Sequence, residues 1–284
     1  ITYSTAGIKN IKLVVKSQEG CSSDTLYKTI RIRARPVADF SFTDSLCLGS
    51  TYTFTDNSSL ADGSVNGWVW LIDGNGTGQN TRTLSHAFLT PGTHTVTLFS
   101  TGTENANCLS AGVTKNIFVS NKPIAALKSV TPCENKPVQL LDSSYTNDGL
   151  TISNWWWDLG NGQFSTQQNP MVTYPIPGPV VIKLVVRNNR NCISDTLIFN
   201  ITVGSRPVAK FGVGAALCNN SLVQFYDSST AANASVNGWE WINNNTIFST
   251  QQNASGLFNV GSNTVGLSVM NTNGCKSDTV FQSF

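Results

Sequence analysis

Apolar and polar residues alternate along this chain in short runs. Tyr52-Thr53-Phe54-Thr55, Thr93 to Phe99 and Val223-Gln224-Phe225-Tyr226 show the pattern, which has the period of a strand with one buried face. The runs span about 5–8 residues, favour Val, Ile, Thr, Phe and Trp, and end in Gly, Asn, Asp, Ser or Pro turns. Lys12-Leu13-Val14-Val15 and Val181 to Val186 are denser, as expected of strands inside a sheet. No window combines helical spacing with caps. The pattern predicts an all-β chain.

Self-comparison exposes a repeat of about 85 residues. Pro36-Val37-Ala38-Asp39-Phe40, Pro123-Ile124-Ala125-Ala126-Leu127 and Pro207-Val208-Ala209-Lys210-Phe211 are one segment three times. Each is followed by a Cys (Cys47, Cys133, Cys218) and a strand ending in Asp56, Asp142 or Asp227. A Trp-x-Trp pair follows (Trp68/Trp70, Trp155/Trp157, Trp239/Trp241), then an alternating strand after a Gly, and a second Cys: Cys108, Cys192, Cys275. Ile11 to Val15 matches Ile182 to Val186, and Gly20-Cys21-Ser22-Ser23-Asp24-Thr25 matches Gly274-Cys275-Lys276-Ser277-Asp278-Thr279. The segment before Pro36 therefore reads as the second half of a repeat.

About seven short strands in each repeat predict tandem immunoglobulin-like, Greek-key β-sandwiches. The expected divisions are residues 1–35, the carboxy-terminal half of a repeat, then 36–121, 122–205 and 206–284, the last with an incomplete final strand. The proline-led linkers between them predict repeats that meet end to end.

Seven cysteines fit this register. Equal placement in three copies predicts one disulfide per repeat: Cys47–Cys108, Cys133–Cys192 and Cys218–Cys275. Each would close a loop of roughly 60 residues, worth roughly 4 kcal/mol in a chain-entropy treatment. Cys21 is expected to pair upstream of Ile1. A zinc site would need clustered Cys or His, and no Cys-x-x-Cys occurs. Disulfides place the chain in an oxidising, extracellular or cell-surface setting.

Charged residues are only 12% and the net charge is +2, so no face can gather the Lys and Arg that nucleic acid requires. The surface must instead be Ser, Thr, Asn, Gln and Gly. No apolar run is long enough to cross a bilayer as a helix.

With these blocks in view, the repeats resemble PKD domains, the polycystic-kidney-disease type of immunoglobulin-like module. Trp157-Asp158-Leu159-Gly160-Asn161-Gly162 is similar to that family's Trp-Asp-Phe-Gly-Asp-Gly signature, and Asp142-Ser143-Ser144, Asn169-Pro170 and Tyr174 with Pro177-Gly178 fit beside it. Trp70 to Gly76 is a displaced version, and Trp241-Ile242-Asn243-Asn244-Asn245 has lost both the Asp and the Gly. The Gly-Cys-x-Ser-Asp-Thr ending resembles the PKD arrays of large Bacteroidetes surface proteins, including adhesins.

Each candidate site has a structural counterpart. Residues i and i+2 of a strand face the same way, so each Trp pair is expected in the core, with Trp70, Trp157 and Trp241 central. Trp156 and Glu240 are left for the surface. The resemblance offers calcium as a cofactor at Asp158, Asn161 and Asp73 with Asn75, but calcium wants six or more oxygens and each loop supplies one carboxylate at most; ordinary turn geometry is the expected role, with no metal. His86 and His94 have no counterparts in other repeats, and no nucleophile motif accompanies them, so no enzyme is expected. Thr25, Thr196 and Thr279 follow an Asp and precede an apolar residue, as in a Bacteroidetes O-glycosylation site. The functional expectation is a disulfide-stapled spacer or filament in a large surface protein, whose partners are neighbouring repeats of the same or an identical chain. One alternative is a polysaccharide-binding module with an aromatic strip of Trp156, Phe164 and Phe248. The other is a self-assembling filament subunit.

Overall fold

The structure, a computed structural model, describes residues 1–102, 108–214 and 221–284. Strands, turns and bends account for all of its regular structure, and no helix forms among the described residues. The chain divides into two compact units. One comprises Ile1–Lys122 with Asn147–Leu150 and Arg190–Cys192; the other holds Pro123–Thr146, Thr151–Asn189 and Ile193–Phe284.

In the first unit, Gly7–Leu13 and Leu26–Ile32 form an antiparallel pair with Gly7 opposite Ile32 and Leu13 opposite Leu26. A sandwich follows. One sheet holds Phe40–Ser41, Thr51–Asp56 and Thr83–Ala87; the other orders Leu46–Cys47, Val113–Ser120, Gly92–Gly102, Val65–Ile72 and Asn75–Gly76. Leu46–Cys47 runs parallel to the closing strand, with Cys47 opposite Ser120. Between the sheets lie Phe40, Phe54, Trp70, Leu84, Val96 and Leu98. Alternation along Gly92–Gly102 supplies Val96 and Leu98 to this core and the intervening threonines to the surface side.

The second unit contains two sandwiches. In the first of these, Pro137–Gln139 pairs with Met171–Thr173, facing a sheet ordered Phe164–Ser165, Ile152–Asp158, Gly178–Asn188 and Leu197–Val203. In the other, Phe211–Val213, Val223–Asp227 and Ala254–Gly256 face a sheet ordered Thr246–Ser249, Val236–Asn243, Thr264–Asn271 and Val280–Ser283. Trp157 and Trp241 are central in their cores, joined by Ile182, Leu184 and Val186 in one and by Val265, Leu267 and Val269 in the other.

The tryptophans occupy two depths. Trp70, Trp157 and Trp241 are fully buried, and each indole Nε1 donates to a backbone carbonyl: Thr81 at 3.0 Å, Gln167 at 2.9 Å, Gln251 at 2.8 Å. Phe40 and Phe211 meet Trp70 and Trp241 edge-on, with centroids 5.4 and 5.1 Å apart. Trp68, Trp155 and Trp239 are half-buried at the core margin. Trp155 and Trp239 donate to the strand-ending aspartates, Asp142 at 2.8 Å and Asp227 at 2.9 Å. Those aspartates also accept from the amides two residues on, at Ser144 and Ser229, so each carboxylate ties a turn to a ring.

The disulfides differ from the expected pairing. Cys47 is bonded to Cys192, and Cys133 to Cys275, with Cα separations of 5.5 and 5.6 Å. Cys21 and Cys108 are free thiols. The expected Cys47–Cys108 and Cys133–Cys192 bridges are therefore incorrect. The Cys218–Cys275 bridge is also excluded, because Cys275 is taken by Cys133; Cys218 itself lies outside the described residues. The physical reason is visible in the first sandwich. Cys47 sits beside Ser120, at the far end of Val113–Ser120, while Cys108 precedes the start of that strand. Eight extended residues separate the two ends by roughly 25 Å, whereas a disulfide spans Cα atoms about 4.4–6.8 Å apart. In the first two full repeats the two cysteines lie at opposite ends of the closing strand.

Candidate functional site

The cysteine positions are built by local sequence. After Cys47 and Cys133 the chain makes a tight turn, with Ser50 N donating to Cys47 O and Lys136 N to Cys133 O, both at 3.2 Å. The third residue of each turn is left-handed, Gly49 at φ 77 and Asn135 at φ 55, a conformation that Gly and Asn tolerate best. The strand before the turn docks in parallel on the end of the closing strand. Leu48 N donates to Ser120 O at 2.9 Å, and Glu134 N donates to Gly204 O at 2.9 Å.

The second cysteine of each repeat sits where a serine recurs two residues later. Ser23, Ser110, Ser194 and Ser277 each accept, through Oγ, the backbone amide of Val15, Ser100, Val186 or Val269, at 2.9–3.0 Å. Each hydroxyl satisfies a strand donor where the ladder turns away, a group that would be costly to leave bare. Before Cys275 the buried Asn271 does further work. Its Oδ1 accepts from Asn273 N and Cys275 N at 3.1 and 3.0 Å, and its Nδ2 donates to Ser205 O at 2.9 Å.

Charged groups surround the Cys133–Cys275 bridge. The Arg206 guanidinium holds Asp278 in a fork at 3.1 and 2.5 Å, and its Nε donates to Lys276 O at 2.9 Å. Glu134 accepts the Arg206 amide at 2.7 Å, and Lys136 lies 3.4 Å from Asp278. The hydrogen bond from Arg206 lowers the Asp278 carboxyl pKa, with Lys136 adding to it. The approach is close enough that a Cβ on Gly204 would lie 2.7 Å from Cys275 Sγ. Cys133, Arg206 and Asp278 come from two successive repeats, and the junction is their meeting point.

Staggered pairing has a covalent consequence that pairing within repeats lacks. Cys47–Cys192 and Cys133–Cys275 create two nodes, and three stretches of backbone (47–133, 133–192 and 192–275) each run from one node to the other. A single backbone break between Cys47 and Cys275 leaves the molecule in one piece.

The other expected sites play structural parts. Asp158 Oδ1 accepts Gly160 N at 3.1 Å and Asn161 Oδ1 accepts Gln163 N at 3.1 Å, both closing Asx-type turns. Asp73 accepts Thr95 N at 2.7 Å and lies 2.7 Å from His94 Nδ1, while His94 Nε2 is 2.9 Å from Thr90 O. Both ring nitrogens face acceptors, which suits the imidazolium. Burial lowers the His94 pKa, but the Asp73 and Thr90 hydrogen bonds outweigh it and the net shift is upward. Asp73 is lowered, chiefly by His94. No cluster of three metal-ligating side chains occurs among the described residues. Thr25 and Thr196 are exposed and Thr279 is half-buried.

The aromatic strip is not assembled. Phe164 is open to solvent, but Trp156 carries the Arg187 guanidinium 4.9 Å from its ring, and Phe248 packs on Phe225 and Phe258 in the core. Sequence reasoning missed the serine Oγ acceptors and the Arg206–Asp278 fork. The recurring Gly-Cys-x-Ser-Asp block carried the signal for both.

Comparison with protein families agrees with this architecture. The PKD domain family profile matches residues 33–117 and again 120–203. Among solved structures, the PKD1 domain of Vibrio anguillarum Epp is 24% identical over 30% of this chain and 95% of its own length, with a TM-score of 0.27. The PKD1 domain of the Vibrio cholerae metalloprotease PrtV is 29% identical over 29% of this chain and 96% of its own, with a TM-score of 0.26. The three N-terminal domains of the bacteriophage RB49 highly immunogenic outer capsid protein are 14% identical over 87% of this chain and 97% of theirs, with a TM-score of 0.42. With more than half of its residues matched by that profile, the chain belongs to the PKD-domain family and is a tandem of immunoglobulin-like β-sandwich repeats.

Proposed function

We propose that this chain is a load-bearing spacer in a large extracellular surface protein or filament, holding a distal part away from its anchor. The staggered disulfides support this reading most strongly. They link each repeat to the next, so mechanical load and backbone nicks are shared among parallel segments. Low charge and a polar, uncharged surface limit repulsion between neighbouring repeats. Glycans on Thr25 and Thr196 would add protease resistance to the same role.

Single-molecule pulling tests the reading. With both bridges closed, the shortest covalent path between the chain ends runs through Cys47–Cys192, back to Cys133 and across to Cys275. That is about 115 residues, or roughly 400 Å fully extended, against roughly 1000 Å for the reduced chain. The oxidised protein should stop at the shorter length and withstand proteases that degrade the reduced one. An oxidised chain that extends as far as the reduced one would defeat the proposal.

A further inference from the structure

Three repeats bury the same face of the same strand, and the amino-terminal segment exposes it. Ile182, Leu184 and Val186 are 1%, 0% and 0% exposed, and Val265, Leu267 and Val269 are 0%, 0% and 1%. The matching residues Ile11, Leu13 and Val15 are 37%, 56% and 59% exposed. Leu26, on the partner strand, is also open. In the full sandwiches this face is covered by the opposite sheet, from the amino-terminal half of the repeat, through side chains such as Leu140 or Phe225.

The edge of this hairpin repeats a second docking feature. Leu46–Cys47 adds in parallel to the end of Val113–Ser120, and Cys133 bridges Gly204 just past Leu197–Val203. The corresponding strand here, Leu26–Ile32, has Gly7–Leu13 as its one strand partner among the described residues. Beyond its end lies an open groove of about 610 Å³ lined by Tyr3, Thr5, Arg31, Arg35 and the free thiol of Cys108. Cys108 is the second cysteine of its repeat. Its counterparts Cys192 and Cys275 are each bonded to the first cysteine of the preceding repeat. Arg35 matches Arg206, whose amide is accepted by the glutamate that follows the incoming cysteine, Glu134.

We propose that the exposed face of Gly7–Leu13 and Leu26–Ile32 is a docking surface for the amino-terminal half of a PKD-type repeat. The docked half covers Ile11, Leu13 and Val15, lays its cysteine-bearing strand along the end of Leu26–Ile32, and closes a disulfide with Cys108. The bond forms from two thiols, with two electrons and two protons passing to a disulfide oxidant such as oxidised glutathione. Cys21, although more exposed, is not the acceptor, because it occupies the second-cysteine position one repeat earlier. The inference rests on the disulfide register and the uncovered face, independently of the spacer role.

The test fuses a copy of residues 123–171 directly ahead of Ile1 in the full chain, since Ile1-Thr2-Tyr3 aligns with Val172-Thr173-Tyr174. The fusion is oxidised in a glutathione buffer and mapped without reduction. The expected result is a bond between the added cysteine and Cys108, a free thiol at Cys21, and amide exchange at Ile11–Val15 slowed at least roughly tenfold. A second fusion with Cys→Ser in the added copy should keep most of that protection, which separates docking from cross-linking. The proposal is overturned if the added cysteine stays free or bonds Cys21, or if Ile11–Val15 exchange as in the unfused chain. A disulfide dimer of the unfused chain through Cys108 would overturn it as well, by making a second copy the occupant.

Discussion

Replacing Cys133 and Cys275 together by serine removes one bridge without creating a thiol. Its effect can be worked from the topology. Cys133 lies beside Gly204, the last residue before the linker to the third repeat. If that repeat unfolds while its neighbour stays folded, the bridge holds the unfolded chain from Gly204 to Cys275 in a closed loop of about 70 residues, which limits its entropy by roughly 4 kcal/mol. If the neighbour unfolds instead, the loop runs from Cys133 to Gly204 and is of the same size. One bridge therefore stabilises two sandwiches about equally. For repeats of this size, with a urea m-value near 1 kcal/mol/M, the double variant should lower both midpoints by up to about 4 M. Hydrogen exchange across a urea series, read on peptides from Ile152–Asp158, Val236–Asn243 and Val65–Ile72, resolves the three sandwiches. The first two should lose protection together while the third, in the first unit, keeps its midpoint. A loss confined to one of the two, or none, would refute the reasoning.

Three further substitutions probe the packing. Tyr174 is buried, its hydroxyl donates to Leu159 O at 2.9 Å, and burial pushes its pKa up to about 12; Tyr174→Phe should cost about 1 kcal/mol in a denaturant melt by orphaning that carbonyl. Asp142→Ala removes the acceptor of Trp155 Nε1 and Ser144 N and should cost about 2 kcal/mol, with a change in tryptophan fluorescence. His94→Gln tests the imidazolium. Because the folded His94 pKa is raised, its stabilisation is complete below about pH 6.5 and fades as pH rises through the folded value. Asp73, being lowered, contributes above about pH 3.8 and fails as pH falls through its folded value. Burial, with help from His94, lowers the His86 pKa, so His86 works the other way and opposes folding on acidification. The stability gap between wild type and His94→Gln should thus be largest near about pH 5.5 and shrink above about pH 8. A gap that widens with pH would contradict the assignment.

The strand pattern, the repeat and the burial of Trp70, Trp157 and Trp241 were legible because each rests on local periodicity. Disulfide partners were not. In a tandem array, the distance from a first cysteine to the second cysteine of its own repeat recurs as faithfully as the distance to that of the next repeat, so spacing alone cannot choose. The choice is made in three dimensions, by a parallel strand that carries Cys47 and Cys133 to the far end of the closing strand. The depth difference within each Trp pair was also hidden. Both rings lie on one face of the strand, but the outer one sits at the core margin, and in two of the three pairs it finds an aspartate. His94 and Asp73 are 21 residues apart, and the antiparallel pairing of Val65–Ile72 with Gly92–Gly102, with Ile72 opposite Val96, brings them together.

Disulfides join successive repeats, and a single specific protease site inserted between Gly204 and Ser205 of the oxidised chain, cut to completion and run on a denaturing gel, tests this. Joined repeats predict one full-length band without reductant and two fragments with it. Two fragments without reductant would show that no bridge spans the junction of the last two repeats, contrary to the Cys133–Cys275 bond.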